Sequence, residues 1–121
     1  MAGTVTVAER THTSVKKITW AWTSTAGGAA DLITTGAYDG KIERLVTVPA
    51  AAGSAPTDDY DITVTDGDSV DVLHGAGANR DTANTEQVLA SSLGIVAGDK
   101  LTLNVTNAGN AKSGTVHLYL R

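Results

Sequence analysis

The feature that most constrains the fold of this chain is a series of short runs in which apolar and polar residues alternate. In residues 15–23, Ile18, Trp20 and Trp22 share one side and smaller or polar residues fall between them. A period of two puts alternate side chains on opposite faces of a strand, whereas a helix would scatter these three large residues around its surface. Val and Thr, which suit pleated strands, recur throughout, and 13 Gly supply breaks between the runs.

The same alternation predicts strands elsewhere, in residues 4–8, 41–49, 60–65, 69–74, 100–106 and 114–121. Asp66-Gly67 lies between two of these runs and predicts a hairpin, because both residues tolerate positive φ. The last two runs are predicted to form a second hairpin. In residues 41–49, Ile42, Val46 and Val48 are expected on one face, with Arg44 interrupting them.

The segments between the runs predict turns and loops. Residues 38–40 (YDG) and 98–99 (GD) indicate turns, and 75–84 indicate a polar loop. Residues 31–36 fit a short strand or a turn, and residues 85–93 fit either a short helix or a strand.

Together these patterns predict an all-β protein, a single antiparallel β-sandwich or jelly-roll-like barrel of about seven to eight strands. The 121 residues fit one domain. We assign it to residues 15–121, and residues 1–14 form either an N-terminal arm or the first strand. Trp20 and Trp22 are expected in the core, since the chain has no Phe to fill it. The alternative is that they form a sugar-stacking platform.

Composition argues against several classes of function. The net charge is −4 and no basic run is longer than Lys16-Lys17, so no nucleic-acid partner is expected. There is no Cys, which excludes disulfides and thiolate metal sites. The sequence has no apolar run near the ~18–20 residues of a membrane helix, and residues 1–10 do not resemble a signal peptide, so no membrane association is expected.

The most distinctive polar feature is an acidic segment, 58–71, that contains six Asp and no basic residue. Clustered carboxylates suit calcium, but Val70 stands where an EF-hand loop would need a ligand and no Glu closes the loop. The favoured interpretation is turn chemistry on a solvated surface. Asp66, Asp68 and Asp71 are kept as weak metal candidates, and no cofactor is expected.

No combination of residues predicts catalysis. His12, His74 and His117 lack metal-ligand spacing, and no Ser lies in a G-x-S-x-G motif. Residues 75–80 (GAGANR) resemble half of a phosphate-binding loop but lie between predicted antiparallel strands. The chain is therefore not expected to be an enzyme. Arg10, His12 and Arg80 are the candidates for contact with a partner protein.

Several stretches resemble those of small virion proteins of tailed bacteriophages, most closely capsid decoration, or head cement, proteins. The stretches are ITWAWT at 18–23, KIERLVTVP at 41–49, DYDITVTD at 59–66, DKLTLNVTNAG at 99–109 and LYLR at 118–121. The resemblance covers most of the chain. It lies in the character of these stretches and in their order along the chain, not in a diagnostic motif.

This resemblance implies a β-rich subunit, often a homotrimer, that binds the major capsid protein on the outer capsid surface. Such a protein would be made in the bacterial host cytoplasm, and no catalytic residue carries over. A tail, baseplate or fibre component and a carbohydrate-binding β-sandwich module are the alternatives.

Overall fold

A computed structural model describes residues 3–121 of the protein. Within this range there is no α-helix, and nine strands form two antiparallel sheets rather than a closed barrel. The predicted all-β, antiparallel sandwich is thus confirmed, with one or two more strands than expected. The strands are β1 Thr4–His12, β2 Val15–Thr23, β3 Ala30–Ile33, β4 Tyr38–Pro49, β5 Asp61–Thr65, β6 Glu86–Val88, β7 Ile95–Asp99, β8 Thr102–Thr106 and β9 Ser113–Leu120.

The larger sheet has the strand order β1-β2-β9-β4-β6, and β7 pairs with the first part of β4. The smaller sheet has the order β3-β8-β5. The sequence allowed residues 1–14 to form either an arm or the first strand. This segment contains β1, which pairs along its whole length with β2. Residues 1 and 2 of that segment lie outside the described residues.

The core lies between the two sheets, and the two tryptophans are part of it. Trp20 is fully buried and Trp22 is 2% exposed. The Trp22 ring packs at a tilt against Tyr60, with 5.7 Å between ring centroids. A Cβ on Gly114 would lie 2.7 Å from Trp22 Cζ2, so glycine at that position leaves room for the indole. The expectation of core tryptophans is confirmed, and neither ring is available as a sugar platform.

The hairpin predicted at Asp66-Gly67 is wrong, because residues 69–74 do not form a strand. The positive φ falls on Ser69 (63°) instead of the predicted pair. The Asp66 carboxylate accepts hydrogen bonds from the N–H groups of Asp68 and Val70, which curls the chain into a turn. Pairing with β5 is reduced to a single bridge between Thr65 and Asp71.

The second predicted hairpin is also wrong, although both of its strands exist. β8 lies between β3 and β5, whereas β9 lies between β2 and β4 in the other sheet. The connection crosses the sandwich and is tied to the loop after β2, since Ala108 N–H donates to Gly28 O and Ser24 N–H donates to Lys112 O. Alternation identifies a strand that is half buried, but it does not say which strand is its neighbour.

β4 departs from its predicted pattern in two ways. The predicted turn at 38–40 is the beginning of the strand, and a bulge lies between Ile42 and Arg44. The extra residue shifts the alternation, so that Leu45 points inward and Val46 pairs with the outward His117. Val46 and Val48 therefore do not share a face with Ile42.

Strands contain all or part of the two segments for which the sequence allowed alternatives, and also the predicted turn at 98–99. Residues 31–36 contribute to β3, and residues 85–93 contain β6 and a 3₁₀ turn, Ala90–Ser92. The predicted turn at 98–99 belongs to β7, with Gly98 at φ 68°.

Candidate functional site

The larger sheet has one face against the core and one face open. We call the open side the outer face, meaning the side chains of β1, β2, β9, β4 and β6 that point away from the core. The strand registers arrange the side chains of the outer face in rows that cross β1, β2 and β9. The first row contains Thr6, Ala21 and Thr115, and the second contains Ala8, Thr19 and His117. The third row contains Arg10, Lys17 and Tyr119. The registers of β9 and β6 with β4 extend these rows across the whole sheet.

One row of the outer face concentrates positive charge around an aromatic ring. Arg10, Lys17, Tyr119 and Arg44 follow one another across β1, β2, β9 and β4. Lys17 Nζ lies 5.5 Å and Arg44 Cζ lies 5.2 Å from the Tyr119 ring centroid, within cation–π range. Arg44 Nε also donates to Gln87 Oε1 at 3.0 Å. These contacts hold Lys17 and Arg44 close to the sheet without neutralising their charge.

The charge of this row contrasts with that of the whole chain, which is −4. Arg80 and Glu86 form the one ion pair within residues 3–121, so Arg10, Lys17 and Arg44 have no carboxylate partner there. The exposed Glu43, at the bulge of β4, is the nearest acidic residue along that strand. Glu43 lines a depression together with Arg44 and Tyr119. Six other acidic residues lie in the loops before and after β5, a strand of the smaller sheet: Asp58, Asp59, Asp66, Asp68, Asp71 and Asp81. The outer face is therefore suited to a partner surface that carries carboxylates.

His117 lies in the next row and adds little charge at neutral pH. Partial burial lowers its pKa from the ordinary 6.5, and the positive charges of Lys17 and Arg44 lower it further. Its Nδ1 is 2.9 Å from Thr19 Oγ1, an interaction that orients the ring on the sheet. The net positive charge of the outer face comes from Arg and Lys, which remain charged over the whole physiological pH range.

The rest of the outer face is shallow and nearly free of ionisable groups. A depression of about 490 Å³ is lined mostly by small or β-branched residues such as Thr4, Ala21 and Thr115, together with Pro49 and the almost fully buried Trp22. Hydroxyl and methyl groups of this kind provide contact area, but they offer neither a nucleophile with its base nor an acid–base pair. The chemistry of this region is that of a contact surface.

The structure brings together two of the three contact candidates from the sequence. Arg10 and His12 are both exposed on the outer side of β1. Arg80 is half-buried elsewhere: its guanidinium donates to Ala78 O and lies 3.6 Å from Glu86 Oε1. Its backbone N–H also donates to Tyr60 O, so Arg80 stabilises the loop that covers β5.

The sequence reasoning missed Lys17, Tyr119 and Arg44 as members of the same surface. Each lies on a predicted strand, but only the pairing of β9 between β2 and β4 makes them neighbours. The outward position of Tyr119 in the alternation of its strand was the available signal.

The three weak metal candidates lie in the turn that follows β5. Asp66 bonds to the turn described above, and the Asp71 carboxylate accepts N–H groups of Val64, Leu73 and Gly75. Asp68 is exposed, and residues 3–121 contain no group of three or more His, Cys, Asp or Glu side chains placed to hold a metal ion. The geometry is that of turn-capping carboxylates.

Comparisons with known proteins assign neither a family nor a function to this chain. In the described part of the chain, no helix has the length and apolar character needed to cross a membrane. No family model matches the chain, and no curated protein matches it.

Proposed function

We propose that this protein is a non-enzymatic structural protein of a tailed-bacteriophage virion, a decoration or cement protein that binds and stabilises the major capsid protein lattice. The observation that supports it is the outer face, a five-stranded surface that carries unpaired cations on an acidic chain. The resemblance in the sequence supports the choice of partner. In this proposal the protein is made in the host cytoplasm, ends on the capsid surface and needs no cofactor.

The charge of the outer face indicates the chemistry of the contact. Arg10, Lys17 and Arg44 would lie against carboxylates of the major capsid protein, while the acidic loops of the same chain would face solvent. Opposite charges orient the two surfaces as they approach, and they raise the association rate at low salt. Exposed charge pairs contribute only about 0.2–1 kcal/mol each, so the rest of the affinity must come from the contact area around the depression.

A capsid lattice amplifies such a modest contact. Neighbouring capsid subunits present the same surface many times, so a protein that contacts two of them gains from the high effective concentration of the second site. A sandwich held by one core keeps its outer face rigid, which reduces the entropy lost on binding. Stabilisation of the lattice follows because a ligand that binds only the assembled state favours that state.

Co-sedimentation with expanded, undecorated capsids tests the proposal. We expect saturable binding that weakens as salt concentration rises. The double variant Arg10→Gln/Arg44→Gln should bind roughly tenfold more weakly at low salt, the loss expected from two exposed charge pairs. The matched control is Lys100→Gln/Lys112→Gln, which removes the same charge outside the outer face and should bind like the wild type.

Two results would contradict the proposal. Absence of binding to capsids at every salt concentration would exclude a decoration role, and binding to isolated tails or baseplates instead would favour a tail component. Equal losses in the two double variants would show that net charge, and not the outer face, governs the contact. A carbohydrate-binding role is not proposed, because Trp20 and Trp22 are buried.

A further inference from the structure

The first strand leaves one side of the larger sheet open. β1 pairs with β2 from Thr4 to His12. On its other side, no backbone hydrogen bond joins β1 to any described residue. We call this side the open edge. A row of free N–H and C=O groups of this length is a template for another strand.

The other edges of the sandwich are short or covered. β6 has three residues, β3 has four and β7, which pairs only with β4, has five. The edge of β5 is covered by the loop that follows it, since Val72 N–H donates to Val64 O and Ile62 N–H donates to Gly77 O. β1 is longer than these strands, and although β3 lies close to it, no backbone hydrogen bond joins β1 to β3. The nine-residue register of β1 runs without a bulge, and β1 contains no Pro and no Lys, the residues that commonly protect edge strands.

The middle of the open edge is uncharged and partly apolar. Residues 4–8 have the sequence TVTVA, in which Val5 and Val7 point inward and are half-buried. Leu32 of β3 is also half-buried and packs against the same core. The uncharged stretch ends at Glu9. The carboxylate of Glu9 accepts the N–H groups of Thr35 and Gly36 from the loop after β3.

We infer that the open edge pairs with the open edge of a second copy of this chain, antiparallel and about a two-fold axis through Thr6. This register places Thr6 opposite Thr6, and Val5 opposite Val7 on both sides of the axis. Thr4 then lies opposite Ala8, and no charged residue falls within the paired segment. Cross-strand pairs of β-branched residues are among the favourable ones in antiparallel sheets. The valine pairs cover apolar surface that each copy leaves partly exposed.

The longest alternative register is less favourable. Centring the axis on Ala8 would pair all nine residues, but it would place Val7 opposite Glu9 twice. A carboxylate already hydrogen-bonded to its own loop gains nothing from a valine neighbour, and its remaining hydration would be lost. Charge at Glu9 and Arg10 therefore limits the pairing to residues 4–8, which fixes the register.

The pairing would join the two larger sheets into one continuous sheet. The outer faces of the two copies would then lie side by side, and a capsid partner would meet two sets of cations instead of one. The inference concerns the free protein, so it stands or falls independently of the proposed capsid role.

Sedimentation velocity of the purified protein over a concentration series tests the inference. We expect a monomer–dimer equilibrium in the wild type. Thr6→Lys places two like charges opposite each other on the axis, on an exposed side chain, and should weaken dimerisation about tenfold or more. The matched control Thr106→Lys adds the same charge to an exposed position of β8 and should dimerise like the wild type. Melting temperatures of both variants establish that the monomer remains folded.

A monomer at every concentration would overturn the inference, as would a dimer that Thr6→Lys leaves unchanged. A trimer, the state that the resemblance implies, would also overturn it, because a three-fold assembly has no axis that pairs Thr6 with itself. A second measurement uses the absence of Cys from the chain. Thr6→Cys should be cross-linked to a dimer by a short bismaleimide, and Thr106→Cys should not. Equal cross-linking of the two variants would count against the inference.

Discussion

Glu9 connects β1 to the loop after β3 and to the first residue of β4. It points inward from β1, and its carboxylate accepts Thr35 N–H at 2.9 Å, Gly36 N–H at 3.0 Å and Tyr38 Oη–H at 2.6 Å. Partial burial acts to raise the pKa of Glu9, but these hydrogen bonds outweigh it and lower the pKa below its ordinary 4.5. Burial and the hydrogen bond to Glu9 raise the pKa of Tyr38, which therefore remains a donor.

Replacement of Glu9 by Gln should remove part of the stability of the protein and part of its pH dependence. The amide NH₂ would face a donor where an oxygen now accepts, so we expect a loss of about 1–2 kcal/mol in the free energy of unfolding at pH 7. Because the pKa of Glu9 is lower in the folded state, its contribution is present above about pH 4.5 and is lost as pH falls through the folded pKa.

Urea unfolding between pH 3 and pH 7 measures both effects. The wild type should lose more stability on acidification than Glu9→Gln. Glu43→Gln is the control, because Glu43 is exposed and its loss should change stability by less than about 0.5 kcal/mol. Parallel pH profiles for the wild type and Glu9→Gln would show that the carboxylate does not hold the loop.

Single residues also mark what the sequence could and could not predict. Trp20 and Trp22 were predictable as core, because large residues at alternate positions of a strand share its buried face. Arg10 and His12 were predictable as exposed. The hydrogen-bond partners of Glu9 could not be predicted, because they lie more than 20 residues away along the chain and sequence patterns report only on neighbouring residues.

At the scale of elements, the segment after β5 shows how side chains can override a strand pattern. Val70 and Val72 alternate as a strand would, but the Asp71 carboxylate accepts three backbone N–H groups, those of Val64, Leu73 and Gly75. Short Asp side chains compete with ladder hydrogen bonds in this way. The alternation is that of a strand, but the hydrogen bonds accepted by Asp71 hold this segment in a turn.

The turn that Asp71 organises should depend on it and not on calcium. Asp71→Ala leaves three N–H groups without their acceptor, and we expect it to lower the free energy of unfolding by about 1–3 kcal/mol. Asp68→Ala removes an exposed carboxylate from the same segment and should cost less than about 0.5 kcal/mol. Thermal unfolding of the wild type should be unchanged by added calcium, since a cation that binds the native state raises the melting temperature. A calcium-dependent rise that Asp71→Ala abolishes would contradict this interpretation.

Over the whole molecule, strand existence was largely predictable and strand pairing was not. The alternating runs at β2, β5, β8 and β9 correspond to real strands. Their neighbours depend on contacts between distant parts of the chain, such as β9 with β2, and local patterns do not contain that information. The outer face, which exists only through that pairing, was for the same reason outside the reach of sequence reasoning.

The shared core predicts that both sheets unfold together. Leu118 of the larger sheet and Leu103 of the smaller one are fully buried in one apolar cluster that also contains Trp20 and Trp22. Loss of either sheet would expose the other, so tryptophan fluorescence and far-UV circular dichroism should give coincident unfolding transitions. Leu118→Ala and Leu103→Ala should each lower the free energy of unfolding by about 2–5 kcal/mol and shift both signals equally. Leu89→Ala, at a side chain that is 76% exposed, serves as the control and should change little. Separate transitions, or a Leu103→Ala variant that shifts only one signal, would show that the smaller sheet unfolds independently.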